Sequence, residues 1–179
     1  APVRRGADAA ESLPSHVRTP EENELALFGQ DLAAEVSGRH GSPVEMTHLN
    51  RGIFDEASVS AITSATVSEI ALLAGHGPDV RRFRPNILIS SEQSDPFVED
   101  AWVGGVLWFG EGDTAAAIAV TNWDQRCSMV NYDPDSGLTT PEVLKAVVRE
   151  RENKAGIYGT VIRCGRLAVG QSLYFTPTA

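Results

Sequence analysis

The chain is poor in sulfur and in aromatic rings: 179 residues include two cysteines, two methionines and three tryptophans, and Phe, Trp and Tyr together make up 7%. Two cysteines, Cys127 and Cys164, permit one disulfide at most, and a chain of this length does not need one to fold. Free thiols in a cytoplasmic protein are the expectation that follows. The four histidines, His16, His40, His48 and His76, are remote from both cysteines in sequence, so the closely spaced Cys and His ligands of a zinc site are missing. No apolar run approaches the roughly 20 residues of a membrane-spanning helix, and the N-terminal stretch lacks the apolar centre of a signal peptide. Positive charge is short as well: 15 Lys and Arg face 24 Asp and Glu, a net charge of −9. That balance argues against a general affinity for nucleic-acid backbone or an anionic membrane, which would repel the chain at long range. Any anion taken up must meet a local basic cluster.

What is present suffices for a core. Hydrophobic side chains make up 42%, enough for one domain, or one domain with an incomplete neighbour. Residues 1–15 show no period and read as a tail. Val17, Leu25 and Leu27 alternate around the polar "PEEN" and predict a hairpin, followed by a helix from Asp31 to Arg39 that Gly41 stops. "PVEMTHL" reads as a strand. In "ITSATVSEIALLAG", Thr63 or Ser64 caps a helix whose Val67, Ile70 and Leu73 share a face and which ends at Gly75. "NILIS", "VGGVLWFG" and "AAAIAVTNW" read as strands. Thr140 as cap, Pro141 at the first position and Val143, Leu144 and Val147 on the buried side predict a third helix. "IYGTVIRCGRL" and "QSLYF" close the chain as strands. Many short strands, few helices and no regular βαβ alternation point to a mainly β, α+β fold: a β-rich barrel with helices outside. The domain reading is residues 1–41 as tail, hairpin and helix, the remnant of an N-terminal subdomain, and 42–179 as the barrel.

Two stretches carry candidate chemistry. "RRFRPNILIS" places three arginines in four residues before an apolar strand. A solvated charge run is one reading. Phe83 and Asn86 break the run with an aromatic and an amide, a composition suited to gripping a phosphate or a heterocycle, and Arg84 and Asn86, two apart on an extended strand, share a face. In "DQRCSMVNYDPDSG", Arg126 adjoins Cys127. A cation beside a thiol favours the thiolate, the form that ligates metals or accepts sulfur, whereas a buried inert cysteine is the plainer alternative. Cys164 reads as core or incidental surface. Asp133 and Asp135 in "DPDSG" read first as a turn.

Four blocks in order, "RRFRPNILI", "DPFVEDAWVGGVLWFG", "RCSMVNYDPDSG" and "GTVIRCGRLAVGQSLYF", resemble the MOSC domain, which occurs at the C-terminus of molybdenum cofactor sulfurases and in mitochondrial amidoxime-reducing components. The resemblance extends over residues 42–175. It implies a MOSC-type β-barrel with a few peripheral helices and the molybdenum cofactor, molybdopterin, as its ligand. It places cofactor binding on Arg84, Asn86 and Arg126, and makes Cys127 the molybdenum ligand or, as in the sulfurase domains, a persulfide carrier. Asp100, with Trp102 in the block "EDAW", is marked as a further site candidate. The chain departs from the family at Asn131, where the reductases have threonine, and at Gln171, which replaces an acidic residue; "APVRR" is a faint echo of a lysine–serine element in the relatives, which suggests a trimmed or short form. Nothing resembles an iron–sulfur domain, so electrons would come from a separate protein. Three readings follow: reduction of small N-hydroxylated substrates by a cysteine-ligated molybdenum, sulfur carriage on Cys127 after donation by a cysteine desulfurase, and a non-enzymatic interaction barrel.

Overall fold

The computed structural model describes residues 2–3, 15–47, 56–90 and 95–178. It divides into two compact units, 1–53 and 54–179. In the first, β1 (Pro2–Val3), β2 (His16–Arg18) and β3 (Glu24–Ala26) form an antiparallel sheet, and α1 (Gln30–His40) follows. The expected hairpin is β2–β3, with Val17 opposite Leu25. Gly41 ends α1 at φ 79°, where a residue without Cβ is unstrained. Of the expected strand 43–49, Pro43–Thr47 is irregular; His48 and Leu49 fall outside the described residues. Val44 and Met46 alternate with Glu45 and Thr47, but no neighbouring strand among the described residues pairs with them.

The second unit is built on β4 (Val59–Thr63), β5 (Ile87–Ile89), β6 (Val106–Phe109), β7 (Ala116–Gln125), β8 (Lys154–Arg163) and β9 (Leu173–Thr176). They form one mixed sheet in the order β5-β4-β8-β7-β6-β9, a curled half-barrel of the mainly β, α+β class. Three register shifts between the long strands β7 and β8 supply the curl, since each extra residue bends its strand. One pair is parallel, β4 with β5, and α2 (Ser64–Ala74) makes the crossover that a parallel pair requires. α3 (Glu142–Arg151) precedes β8.

The sheet buries both faces. Ala61, Leu107, Ile118, Val120 and Ile157 form one core cluster; Ile62, Val67, Ile70, Val143, Val147 and Ala155, from α2, α3 and the sheet, form another. The consecutive residues Ala61 and Ile62 point to opposite cores, as the period of a strand dictates. β4 is absent from the sequence reading because its last residues, Ile62 and Thr63, merge into the helical pattern of α2. Thr63 caps α2 as expected: its hydroxyl oxygen accepts from Thr66 N at 3.1 Å. The acid holding that junction is Glu99, fully buried, whose carboxyl oxygens accept from Thr63 N at 3.1 Å and Thr63 Oγ1 at 2.9 Å. Thr140 does not cap α3 through its side chain; Asn131 Oδ1 accepts from Leu144 N at 2.9 Å and fills that role from outside the helix. Among the described residues no helix is long and apolar enough to cross a membrane.

Candidate functional site

Ala155 and Ile157 have the same parity on β8, yet they belong to opposite cores. The residue between them is Gly156, at φ 87°. Trp123 pairs with Ile157 and Gln125 with Lys154, so two residues of β8, Ala155 and Gly156, face one of β7, Asp124: a β-bulge with a left-handed glycine. The bulge gives passage to Arg126. A Cβ on Gly156 would lie 2.7 Å from Ala61 O and 3.0 Å from Arg126 Nη2.

Arg126 is 8% exposed, and two of its three guanidinium nitrogens are hydrogen-bonded. Its Nε donates to Ala155 O at 2.7 Å, Nη1 donates to Phe83 O at 2.8 Å, and the guanidinium carbon lies 5.3 Å from the Phe83 ring centre. Nη2 is 2.9 Å from Asp124 Oδ2, an ion pair in which the N–H does not align as a hydrogen bond. Burial lowers the Arg126 pKa from the ordinary arginine value, and Asp124 opposes that shift. The guanidinium is thus directed into the protein, with its hydrogen bonds spent on backbone carbonyls, and it acts on Cys127 only through charge. Cys127 is exposed and begins a 3₁₀ turn, Ser128–Asn131. The same Phe83 carbonyl that Arg126 grips precedes Arg84, which brings the Cys127 turn and the arginine turn side by side.

The arginines of "RRFR" have separate fates. Arg81 and Arg82 lie on a 3₁₀ turn, Val80–Arg82, rather than at a strand entrance. Arg81 forks onto Asp135 through two bonds of 2.7 Å and also binds Asp79. Arg82, with a side chain 10% exposed, donates to Asn131 O at 3.0 Å and pairs with Asp133 at 3.2 Å. Both therefore hold the loop that follows Cys127. "DPDSG" is a turn, as expected: Asp133 Oδ1 accepts from Ser136 N and Oγ, both at 2.8 Å. These bonds keep the Asp133 carboxyl below the usual carboxylate range, and the Arg81 fork does the same for Asp135.

Arg84 is exposed, and its side chain has no partner among the described residues. Its backbone sits at φ 50°, a left-handed conformation that costs a residue with a Cβ about 1–3 kcal/mol. The expected extended geometry shared with Asn86 is therefore not found: β5 begins only at Ile87, and the strand period does not reach back to Arg84. Asn86 Oδ1 accepts from Ser60 N at 2.8 Å, which fastens β5 to β4. Asp100 lies on the 3₁₀ turn Val98–Trp102 and forms an ion pair with Arg151, whose guanidinium carbon stacks 4.0 Å from the Phe97 ring centre. Burial pushes the Asp100 carboxyl up despite that partner.

Cys127, Arg84 and Arg126 are thus joined by one hydrogen-bonded unit, whereas Asp100 and Asn86 are tied to other elements. An apolar groove of about 570 Å³, lined by Asn131, Pro141, Leu144, Lys145, Val148 and Arg149, touches none of the five. Gly156 and Glu99 are the residues that sequence reasoning passed over. Glycine inside an apolar strand signals a bulge, so the first was within reach; nothing in "VEDAW" tells which acid is buried.

Two outcomes follow from this geometry. Gly156→Ala forces a left-handed alanine and overpacks Arg126, and should cost about 3 kcal/mol in urea unfolding. The carboxyls of Asp133 and Asp135 have folded-state pKa values below their unfolded ones, so the stability they lend is fully present above about pH 4 and is lost as the pH falls through the folded values. The protection of the Asp135 and Ser136 amides, taken relative to their intrinsic exchange rates at each pH, should fall on acidification in that window before that of the core amides of β8.

The family model described as MOSC domain matches residues 36–174. Among solved structures, the YuaD protein from Bacillus subtilis superposes with a TM-score of 0.52 at 23% identity, covering 68% of this chain and 64% of that one. YiiM from Geobacillus stearothermophilus gives a TM-score of 0.51 at 20% identity, covering 67% of this chain and 54% of that one. The chain matches less than two thirds of the length of either, and at these identities the likeness is one of fold. Comparison with curated proteins gives no match. With the matched pattern extending from α1 to β9, the chain belongs to the MOSC domain family.

Proposed function

We propose that the rim formed by Cys127 and Arg84 binds the molybdenum cofactor and that the loaded protein, in the cytoplasm, reduces small N-hydroxylated compounds with electrons from a separate donor protein. The family is associated with this cofactor. The observation that carries the reading is the division among the arginines: Arg81, Arg82 and Arg126 are held by protein carbonyls and carboxylates, while Arg84 stays exposed in a strained conformation, next in sequence to the Phe83 carbonyl that Arg126, the neighbour of the exposed Cys127, grips.

The donor set fits the group. A cysteine thiolate is a soft ligand suited to a metal of this kind, and the planar fork of Arg84 matches a phosphate. Cys127 would supply the protein's ligand to molybdenum and Arg84 would hold the anionic end of the pterin. When bound, the cofactor supplies the two-electron redox chemistry. The chain's own part is to fix the sulfur on a short turn, to keep the turn in place through Arg82, and to meet the anion with the exposed guanidinium of Arg84 in a protein of net charge −9. Met129, Tyr132 and Leu138 stand exposed on the Cys127 turn and its loop, an apolar border suited to an organic substrate.

A second reading is favoured by the exposure of Cys127: a sulfur accessible at a turn can accept a sulfane sulfur from a cysteine desulfurase and hold it as a persulfide. Protein purified from cells that make molybdopterin should contain molybdenum near one atom per chain, and Cys127→Ser should lose it. Arg84→Ala should retain about tenfold less, since a charge-assisted bond to phosphate is worth roughly 1.5–3 kcal/mol, and Arg84→Lys should recover only part. Persulfide accumulating on metal-free Cys127 in the presence of a desulfurase, without reductase activity of the loaded chain, would replace the reductase with the carrier. Metal at full stoichiometry in Cys127→Ser would remove the ligand assignment, and an unreactive Cys127 with neither activity would leave an interaction barrel.

A further inference from the structure

We infer that Arg126 is a positioning residue for Arg84: by gripping the Phe83 carbonyl from within the Gly156 bulge, it holds Arg84 in its left-handed conformation and so presents that guanidinium to the anion. Phe83 O is the oxygen of the peptide bond that enters Arg84, so fixing it fixes the plane about which φ of Arg84 turns. The anchor is stiff. Arg126 Nε is held on Ala155 O at 2.7 Å, Arg126 N donates to Asn153 O at 3.0 Å, and the buried Phe83 ring lies against the guanidinium. On the other side Asn86 is bonded to Ser60 through both its backbone and its side chain, so the segment is pinned at both ends with Arg84 between. A left-handed position is ordinarily filled by glycine or asparagine. An arginine there, with Pro85 narrowing its freedom further, is retained against its backbone preference, and a local strain of this kind points to a use for the side chain. Arg126 then acts on the bound anion only through Arg84 and does not touch it. This rests on the proposed anion-binding role of Arg84.

The test needs no activity. In the metal-free chain, Arg84 should give the strong intraresidue amide–Hα Overhauser cross-peak of a positive φ. In Arg126→Lys, which keeps the charge near Asp124 but cannot span both carbonyls, that cross-peak should weaken to the level of its neighbours while the methyl signals of Ile62 and Val147 stay in place. In loaded protein, Arg126→Lys should lower molybdenum retention by as much as Arg84→Ala, about tenfold, and the double variant should be no lower than either single one. A positive φ that survives in Arg126→Lys, or losses that multiply in the double variant, would overturn the inference. Full retention in Arg84→Ala would instead overturn the site reading, and with it any role of Arg126 toward the anion, while leaving the backbone result to stand on the cross-peak. Should Arg126→Lys fail to fold, the wild-type chain decides: slowly exchanging Arg126 guanidinium protons with cross-peaks to residues 83 and 84 support the inference, and a freely rotating guanidinium overturns it.

Discussion

The second unit of this chain depends on one arginine threaded through one bulge. Arg126 leaves β7, passes the strand β8 where Gly156 has no side chain, and ends on the carbonyls of Ala155 and Phe83. Its two carbonyl bonds join segments far apart in sequence, and together they fix the geometry of the Cys127 turn relative to the arginine turn. A charge buried to this degree is expensive unless fully engaged; here two carbonyls, a carboxylate and an aromatic ring share the work of replacing water. Glycine is the only residue that both adopts φ 87° without strain and leaves room for the guanidinium.

Around that strut the cationic side chains sort by burial. Arg82, nearly as enclosed, ties the turn after Cys127 to the turn before Arg84 through Asn131 O and Asp133. Arg81 and Asp135 are exposed and Asp79 is half-buried, and surface pairs of this kind lend little to stability. Their effect is on the shape of the 133–137 loop. Of the three arginines in "RRFR", Arg84 is the one whose side chain no carboxylate or carbonyl of the described residues holds, in a chain whose net charge would otherwise repel an anion. In the site as proposed, one thiol and one arginine meet the ligand, and Arg81, Arg82 and Arg126 serve as their scaffold.

Much of the architecture was legible beforehand because local rules and tertiary structure agree. The β2–β3 hairpin, α1 with Gly41, α2 with its Thr63 cap and the turn at "DPDSG" all follow from period and end signals. β4 was hidden because Ile62 and Thr63 serve a strand and a helix at once, and 43–47 was mistaken for a strand because a few alternating residues cannot show whether a partner exists. At the site, the four ordered blocks located the right segments, but the type of residue did not reveal its direction. Arg126 and Arg84 are both arginines next to a candidate residue; one turns inward and the other outward because of a glycine thirty positions away from the first, and no local pattern encodes that.

The account rests on Arg84 being kept for its side chain against the preference of its backbone. Arg84→Gly separates the two, since glycine relieves the left-handed strain and removes the guanidinium. Measured side by side for wild type and variant, thermal unfolding of the metal-free chain and molybdenum content of the loaded one should diverge: the variant should be at least as stable as wild type and should retain about tenfold less metal. A variant that is less stable and fully loaded would contradict the account.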